Sequence, residues 1–203
     1  MWKQGQHVAI IGSNGSGKTY LESRILPLRA FVVFFRTKSD DIVFKGFKRV
    51  RKVTDIELLP RERSKYYLLE PAYRRQSYEG YALVEKVWRE HGWCLAFDEL
   101  FYATQKLGLE REIDRLLTQG RSLGISVVVG MQRPSRISRF ALSECIHAFI
   151  FRCEGRDIVT VSEAFTPRLK EVIPTLKRYQ FAYFNRITGA IIVSDAKHLE
   201  GIM

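Results

Sequence analysis

Along the chain, short continuous apolar runs alternate with stretches whose apolar side chains recur every three or four positions. Val8-Ala9-Ile10-Ile11 is too short for a helix and is closed by a glycine-rich turn, which predicts a strand buried on both faces. A short helix follows and stops at Pro27, whose ring cannot sit in a helix interior. Ala30 to Phe35 predicts a second buried strand, and weaker strand signals lie near Phe47 to Val50 and Tyr66 to Leu69. From Ser77 to His91, Tyr81, Val84, Val87 and Trp88 recur at helical spacing, with Gly92 placed as a C-terminal cap. Trp93 to Phe97 predicts a third buried strand. Ile113, Leu116 and Leu117 give the next helix one apolar face, and Gly120 is expected to end it. Ile125 to Gly130 and Ile146 to Phe151 follow as core strands, and Tyr179 to Ser194 predicts two strands around the Ile187-Thr188-Gly189 turn. Strand and helix in alternation predict an α/β fold, with a mostly parallel central sheet and helices on both faces. No repeat, low-complexity tract or linker interrupts the pattern, so a single domain over 1–203 is expected, with a core at about 7–151 and a C-terminal extension at about 152–203.

Composition narrows the class. With 203 residues and 46% hydrophobic content, the chain can bury one sizeable core without disulfides or structural metal. Cys94, Cys145 and Cys153 lie in apolar stretches and are odd in number, which suits buried thiols in a reducing compartment. No apolar run reaches the roughly eighteen residues of a membrane span, and the N-terminus lacks a signal-peptide core. A soluble, cytoplasmic protein without a membrane partner is therefore expected. The net charge of +11 favours polyanionic partners, and residues 36–75 hold 12 basic against 6 acidic side chains. Lys45, Lys48, Arg49, Arg51 and Lys52, beside Phe44 and Phe47, form the densest cluster, either a DNA-phosphate track or a solvated face. Arg133, Arg136 and Arg139 form a smaller one. The four histidines have no ligand spacing.

The strongest chemical signal is Gly12-Ser13-Asn14-Gly15-Ser16-Gly17-Lys18-Thr19, a full Gly-x4-Gly-Lys-Thr phosphate loop between a predicted strand and a predicted helix. Its glycines let backbone N–H groups close around phosphate oxygens, and the following helix presents its positive end. Lys18 is expected on the β- and γ-phosphates of ATP and the Thr19 hydroxyl on Mg²⁺. A second signal is Leu95-Ala96-Phe97-Asp98-Glu99, an apolar strand ending in two carboxylates that point to opposite sides. Asp98 is expected to hold the Mg²⁺ shell, and Glu99 to polarise the attacking water as general base. A glutamate there favours hydrolysis over transfer to a small acceptor, which counts against a small-molecule kinase.

The stretch Gly120-Arg121-Ser122-Leu123-Gly124 through Gly130-Met131-Gln132-Arg133-Pro134-Ser135 resembles the central signature of the FtsK/HerA superfamily, in which an Arg precedes a strand ending in Gln-Arg-Pro. The resemblance covers about His7 to Phe151 and implies a RecA-like, ASCE-type P-loop NTPase. It reaches the Thr37-Lys38 turn, where the family's Asp-x-Lys-Gly acid and glycine are missing, so no role is carried over there. The family pattern makes Gln132 a polar sensor of the γ-phosphate and the attacking water. It makes Arg121 an arginine finger acting on a neighbouring subunit, with Arg115 and Arg111 as alternatives. A finger acting in trans implies a homo-oligomeric ring.

Members of the superfamily translocate or export DNA. The resemblance therefore implies an ATP-driven motor on double-stranded DNA with sequence-independent contacts. About fifty residues follow Phe151, too few for a nuclease domain, and no membrane span is present. Among family members the chain is thus expected to resemble viral genome-packaging ATPases, docking on a portal or capsid vertex in the host cytoplasm. The rival expectation is an ATPase switch in virion assembly, DNA export or partition, without processive translocation.

Overall fold

The computed structural model describes residues 2–38, 44–59, 61–137 and 139–199. β1 (His7–Ile11) leads through the phosphate loop into α1 (Lys18–Ile25), then β2 (Phe31–Phe35), β3 (Lys48–Val50) and β4 (Lys65–Leu69). The chain continues through α2 (Gln76–Glu90), β5 (Cys94–Phe97), α3 (Glu110–Gln119), β6 (Ser126–Met131), α4 (Arg139–Ser143) and β7 (Cys145–Phe151). It ends with α5 (Arg156–Ala164), α6 (Leu169–Val172), β8 (Gln180–Asn185) and β9 (Ala190–Asp195).

All nine strands form one sheet in the order β3-β4-β2-β5-β6-β1-β7-β8-β9, with every pairing parallel except the antiparallel β7–β8 and β8–β9 pairs. Period-two alternation divides the core. Ala9, Ile11, Val33, Phe35, Leu95, Phe97, Val127 and Val129 face one side, and Val8, Ile10, Val32, Phe34, Ala96 and Val128 the other. The first side receives the apolar faces of α2, α3, α5 and α6, through residues such as Leu83, Val87, Ile113, Leu116, Val161 and Leu169. The second is covered by α1 through Leu21 and Ile25, with Trp2 and Phe44. Helices thus lie on both faces, but unequally.

Two helix ends differ from the sequence expectation. Gly120 keeps right-handed torsions (φ −63), and the chain runs on as a 3-10 turn over Gly120–Leu123. Gly124, at φ 65, is the residue that turns left-handed and launches β6. Gly120 instead packs closely on Ile125, where an added Cβ would stand 3.3 Å from Ile125 Cβ. At the end of α2, His91 itself adopts φ 57 while its N–H bonds the Val87 carbonyl, so the cap falls one residue before Gly92.

Strand order positions the chemistry. β6 lies between β1 and β5, with Ile11 in register with Met131 and Phe97 with Val129. The phosphate loop, Gln132 and the Asp98-Glu99 pair therefore emerge side by side at the carboxyl edge of the sheet, where open α/β sheets take their ligands.

Candidate nucleotide site

The loop is anchored at its start, where the Gly12 N–H bonds the Met131 carbonyl at 3.0 Å. A side chain at Gly12 has no room, because its Cβ would stand 2.6 Å from Ser16 Oγ and 2.7 Å from Phe151 Cβ. Gly17 enters α1 at φ 106, a torsion that L side chains rarely adopt. Lys18 is buried, and its Nζ donates to the Gly12 and Ser13 carbonyls at 2.7 and 3.0 Å, folding the side chain back over the loop. Burial lowers its pKa, and the charges of Glu22 and Glu99 oppose that shift. Ser13, Asn14 and Gly15 form the exposed rim.

The two carboxylates diverge as their strand position requires. Asp98 turns toward β2, where Oδ2 accepts the Thr37 N–H at 3.0 Å and the Lys38 N–H at 3.3 Å. The Thr37 hydroxyl bonds Oδ1 at 3.1 Å. Burial raises the Asp98 pKa, while the Thr37 bonds, the Arg36 charge and the Lys38 N–H pull it back. Glu99 turns toward the loop and is 7% exposed. Burial raises its pKa too, opposed by the charge of Lys38, a bond from the Gln132 N–H and the charge of Lys18. Among the described residues, Glu99 Oε2 and Ser16 Oγ are buried without a hydrogen-bond partner. One turn of π-helix, Tyr102–Lys106, follows directly.

A cavity of about 420 Å³ joins these groups, lined by Asn14, Gly15, Gly17 to Tyr20, Arg36, Lys38, Asp98, Glu99, Gln132 and Tyr179. The fold thus brings together most of the residues expected from sequence: the loop from Asn14 onward, Lys18, Thr19, Asp98, Glu99 and Gln132. The residues also fit a hard divalent cation. A hydroxyl and two carboxylates share the cavity, burial and their mutual repulsion penalise the carboxylate charges, and one Glu99 oxygen is unpartnered. The described residues hold no cluster of three His, Cys, Asp or Glu side chains that could form a metal cage, and Mg²⁺ in nucleotide sites takes most ligands from phosphate and water.

Arg121 lies elsewhere. It precedes β6, whereas Gln132 follows it, so six residues of strand at about 3.3 Å each, about 20 Å, separate it from its own cavity. It is exposed, and among the described residues its side chain has no hydrogen bond or ion pair. Of the alternatives, Arg115 pairs with Glu85 and lies 4.3 Å from the Trp88 ring, while Arg111 is exposed on the first turn of α3.

Arg133 pairs with Asp157 at 3.3 Å, and Arg136 is exposed. The Arg139 side chain lies outside the described residues. Lys45, Lys48, Arg49, Arg51 and Lys52 are all exposed at the β3 edge of the sheet, with Arg49 3.5 Å from Glu70. Phe44 is buried against Phe34, and Phe47 packs on Phe44, so these rings serve the core. The three cysteines are buried and unpaired, and burial pushes each thiol up to about 12. No helix among the described residues is long and apolar enough to cross a membrane.

Sequence reasoning passed over two contributors. Thr37 was given no role, yet it organises Asp98; its signal was its place just past β2, at the same strand edge as the loop. Tyr179 lies against Gly17 through the tertiary fold alone and carried no sequence signal.

No family model matches the chain. Over 199 residues it is 26% identical to the DNA packaging ATPase P9 of Enterobacteria phage PRD1, covering 89% of this chain and 82% of that protein. The genome packaging NTPase B204 of Sulfolobus turreted icosahedral virus 2, solved with AMPPCP, superposes with a TM-score of 0.76 at 18% identity over 95% of this chain and 98% of that one. The cytoplasmic domain of the Type VII secretion ATPase EccC of Thermomonospora curvata shares the fold at a TM-score of 0.57 and 13% identity, covering 95% of this chain and 25% of that one. With its phosphate loop, acidic strand end and Gln-tipped β6 lining one cavity of a P-loop NTPase fold, the chain is similar along most of its length to small viral packaging ATPases.

Proposed function

We propose that this ATPase works as an oligomeric ring that drives double-stranded DNA into a viral capsid, acting in the host cytoplasm and docking on a portal or vertex. The observation that carries the reading is the separation within one subunit. The cavity holds Lys18, Glu99 and Gln132, while the exposed Arg121 stands about 20 Å away at the other end of the same strand. No movement of one side chain closes that gap, so the finger serves the neighbouring subunit. Similarity to P9 of phage PRD1, described as a DNA packaging ATPase, supports DNA as the cargo.

In this reading the loop from Gly12 to Thr19 cradles the phosphates, with Lys18 moving from its two loop carbonyls onto the β- and γ-oxygens. Thr19 and Asp98 would hold Mg²⁺, which supplies charge neutralisation at the phosphates. Glu99 takes a proton from the attacking water, and Gln132 orients that water against the γ-phosphate. Arg121 of the neighbour neutralises charge as the terminal bond breaks. The β3-edge lysines and arginines offer sequence-independent phosphate contacts.

Steady-state ATP hydrolysis across protein concentration, with and without long double-stranded DNA and with Glu99→Gln as blank, tests the proposal. A rate per subunit that climbs steeply with concentration and again with DNA is expected. A rate flat in both would replace the motor with an ATPase switch in assembly.

A further inference from the structure

Tyr179 is one of two non-glycine residues with positive φ among the described residues, at 67°. The conformation is enforced from both sides. The Gln180 N–H bonds the Lys177 carbonyl at 3.0 Å, the Lys177 N–H bonds Gln180 Oε1 at 3.0 Å, and Gln180 is paired with Asp195 in the β8–β9 ladder. A tyrosine held in an unfavourable torsion by its surroundings points to a use for its ring. That ring is half exposed and lies over the phosphate loop, with Cδ1 3.4 Å from where a Gly17 Cβ would stand and Phe151 beside it. The Arg178 guanidinium is 4.8 Å from the ring centroid.

A hollow of about 380 Å³ opens on this side, walled by Gly17, Tyr20, Phe151, Tyr179 and the backbone turn at Ala196. It adjoins the phosphate cavity, because Gly17, Tyr20 and Tyr179 line both. A triphosphate whose terminal group lies at Glu99 and Gln132 and whose chain follows the loop past Lys18 and Thr19 emerges between Tyr20 and Tyr179. We propose that the nucleobase of the bound nucleotide occupies this hollow, stacked on the Tyr179 ring. The assignment rests on the phosphate-loop reading above and adds a base subsite supplied by the C-terminal strands. Stacking uses the π-face that every base has, so Tyr179 supplies affinity without base selectivity.

The test is calorimetric binding of Mg·ATP and of inorganic tripolyphosphate, which has the phosphates without the base, to the full chain and to Tyr179→Gly, Tyr179→Phe and Lys18→Ala. Glycine accepts φ 67 without strain, so Tyr179→Gly removes the ring and keeps the turn. Tyr179→Gly is expected to weaken ATP roughly tenfold and leave tripolyphosphate unchanged, with Tyr179→Phe within about twofold of the parent. Unchanged ATP binding in Tyr179→Gly, or equal losses for ATP and tripolyphosphate, overturns the base assignment while the phosphate site stands. If Lys18→Ala binds both ligands as the parent does, the phosphate-loop reading itself fails and the base subsite fails with it.

Discussion

The two ends of the central strands β1 and β6 differ in where charge is kept. Among the described residues, the buried charged side chains are Lys18, Glu22, Arg36, Glu79, Glu99 and Asp157. Each lies just past the carboxyl end of a strand or in the first turns of the following helix. At the amino end the buried groups that titrate are uncharged: His7 opens β1, His147 stands beside Val8 in β7, and the Cys94 and Cys145 thiols open β5 and β7. His147 is bonded at both ring nitrogens, to Tyr183 and to Gln6, and Arg121, just before β6, is out in solvent. The carboxyl end concentrates desolvated charge and leaves Glu99 Oε2 without a partner. In the proposed reading, one end receives a polyanion and a cation, and the other presents Arg121 to a neighbour.

The largest effect should come from emptying the charged end. Lys18→Ala removes the one cation that both caps the loop carbonyls and faces Glu99, and burial has already stripped it of compensating water. ATP hydrolysis is expected to fall by more than about a thousandfold, because the change removes phosphate binding together with a buried transition-state donor. An initial-rate assay at saturating nucleotide measures it, and activity within threefold of the parent would sink the assignment.

Next comes the cation at the other end. Arg121→Ala is expected to lose about a thousandfold in turnover, as arginine fingers do, while nucleotide affinity of the isolated subunit stays the same. Mixing it with Lys18→Ala should restore hydrolysis, because one variant keeps the pocket and the other the finger. If Arg121→Ala alone keeps its activity, the finger moves to Arg111, the alternative that is not tied into its own chain.

The amino end can also be perturbed by acid. Burial pulls His7 and His147 down from 6.5 to about 4. Above pH 6.5 both are neutral folded or unfolded, and the stability is whole. Between pH 6.5 and 4 the unfolded chain takes up protons that the folded chain refuses, so each histidine costs about 1.4 kcal/mol per pH unit, to a limit of about 3 kcal/mol. Urea unfolding at pH 7 and pH 4.5 should show the drop, and His147→Gln should flatten it; identical midpoints at the two pH values would contradict the buried neutral imidazoles.

How much of this was readable in the sequence follows from how local each feature is. The phosphate loop is eight consecutive residues between a strand and a helix, so its residues sufficed. Asp98 and Glu99 were legible as a strand end, and their divergence follows from strand geometry, but that Asp98 faces Thr37 depends on β2 pairing with β5. The distance from Arg121 to the cavity needed the parallel register of β1 and β6. Gly120 was legible as a helix stop, but only the packed fold shows that the left-handed turn falls at Gly124 instead. Tyr179 comes from the antiparallel strands beyond β7, and no local pattern links it to Gly17.

The smallest effect concerns how the charged end is organised. Thr37→Val keeps the shape and both backbone donors to Asp98, and deletes only the hydroxyl bonds at 3.1 and 3.2 Å. A hydrogen bond to a charged acceptor contributes about 1.5 kcal/mol, so the midpoint of thermal unfolding should fall by roughly 3 to 6 °C in a chain of this size. Hydrolysis should drop several-fold while ATP affinity holds, because Asp98 keeps two of its three donor groups and the loop is untouched. Thr37→Ser, which restores the hydroxyl, should recover both. If Thr37→Val matched the parent in rate and in melting, the two backbone N–H groups alone would hold Asp98, and the organisation of the charged end would reside in the β2–β5 pairing rather than in the side chain beyond it.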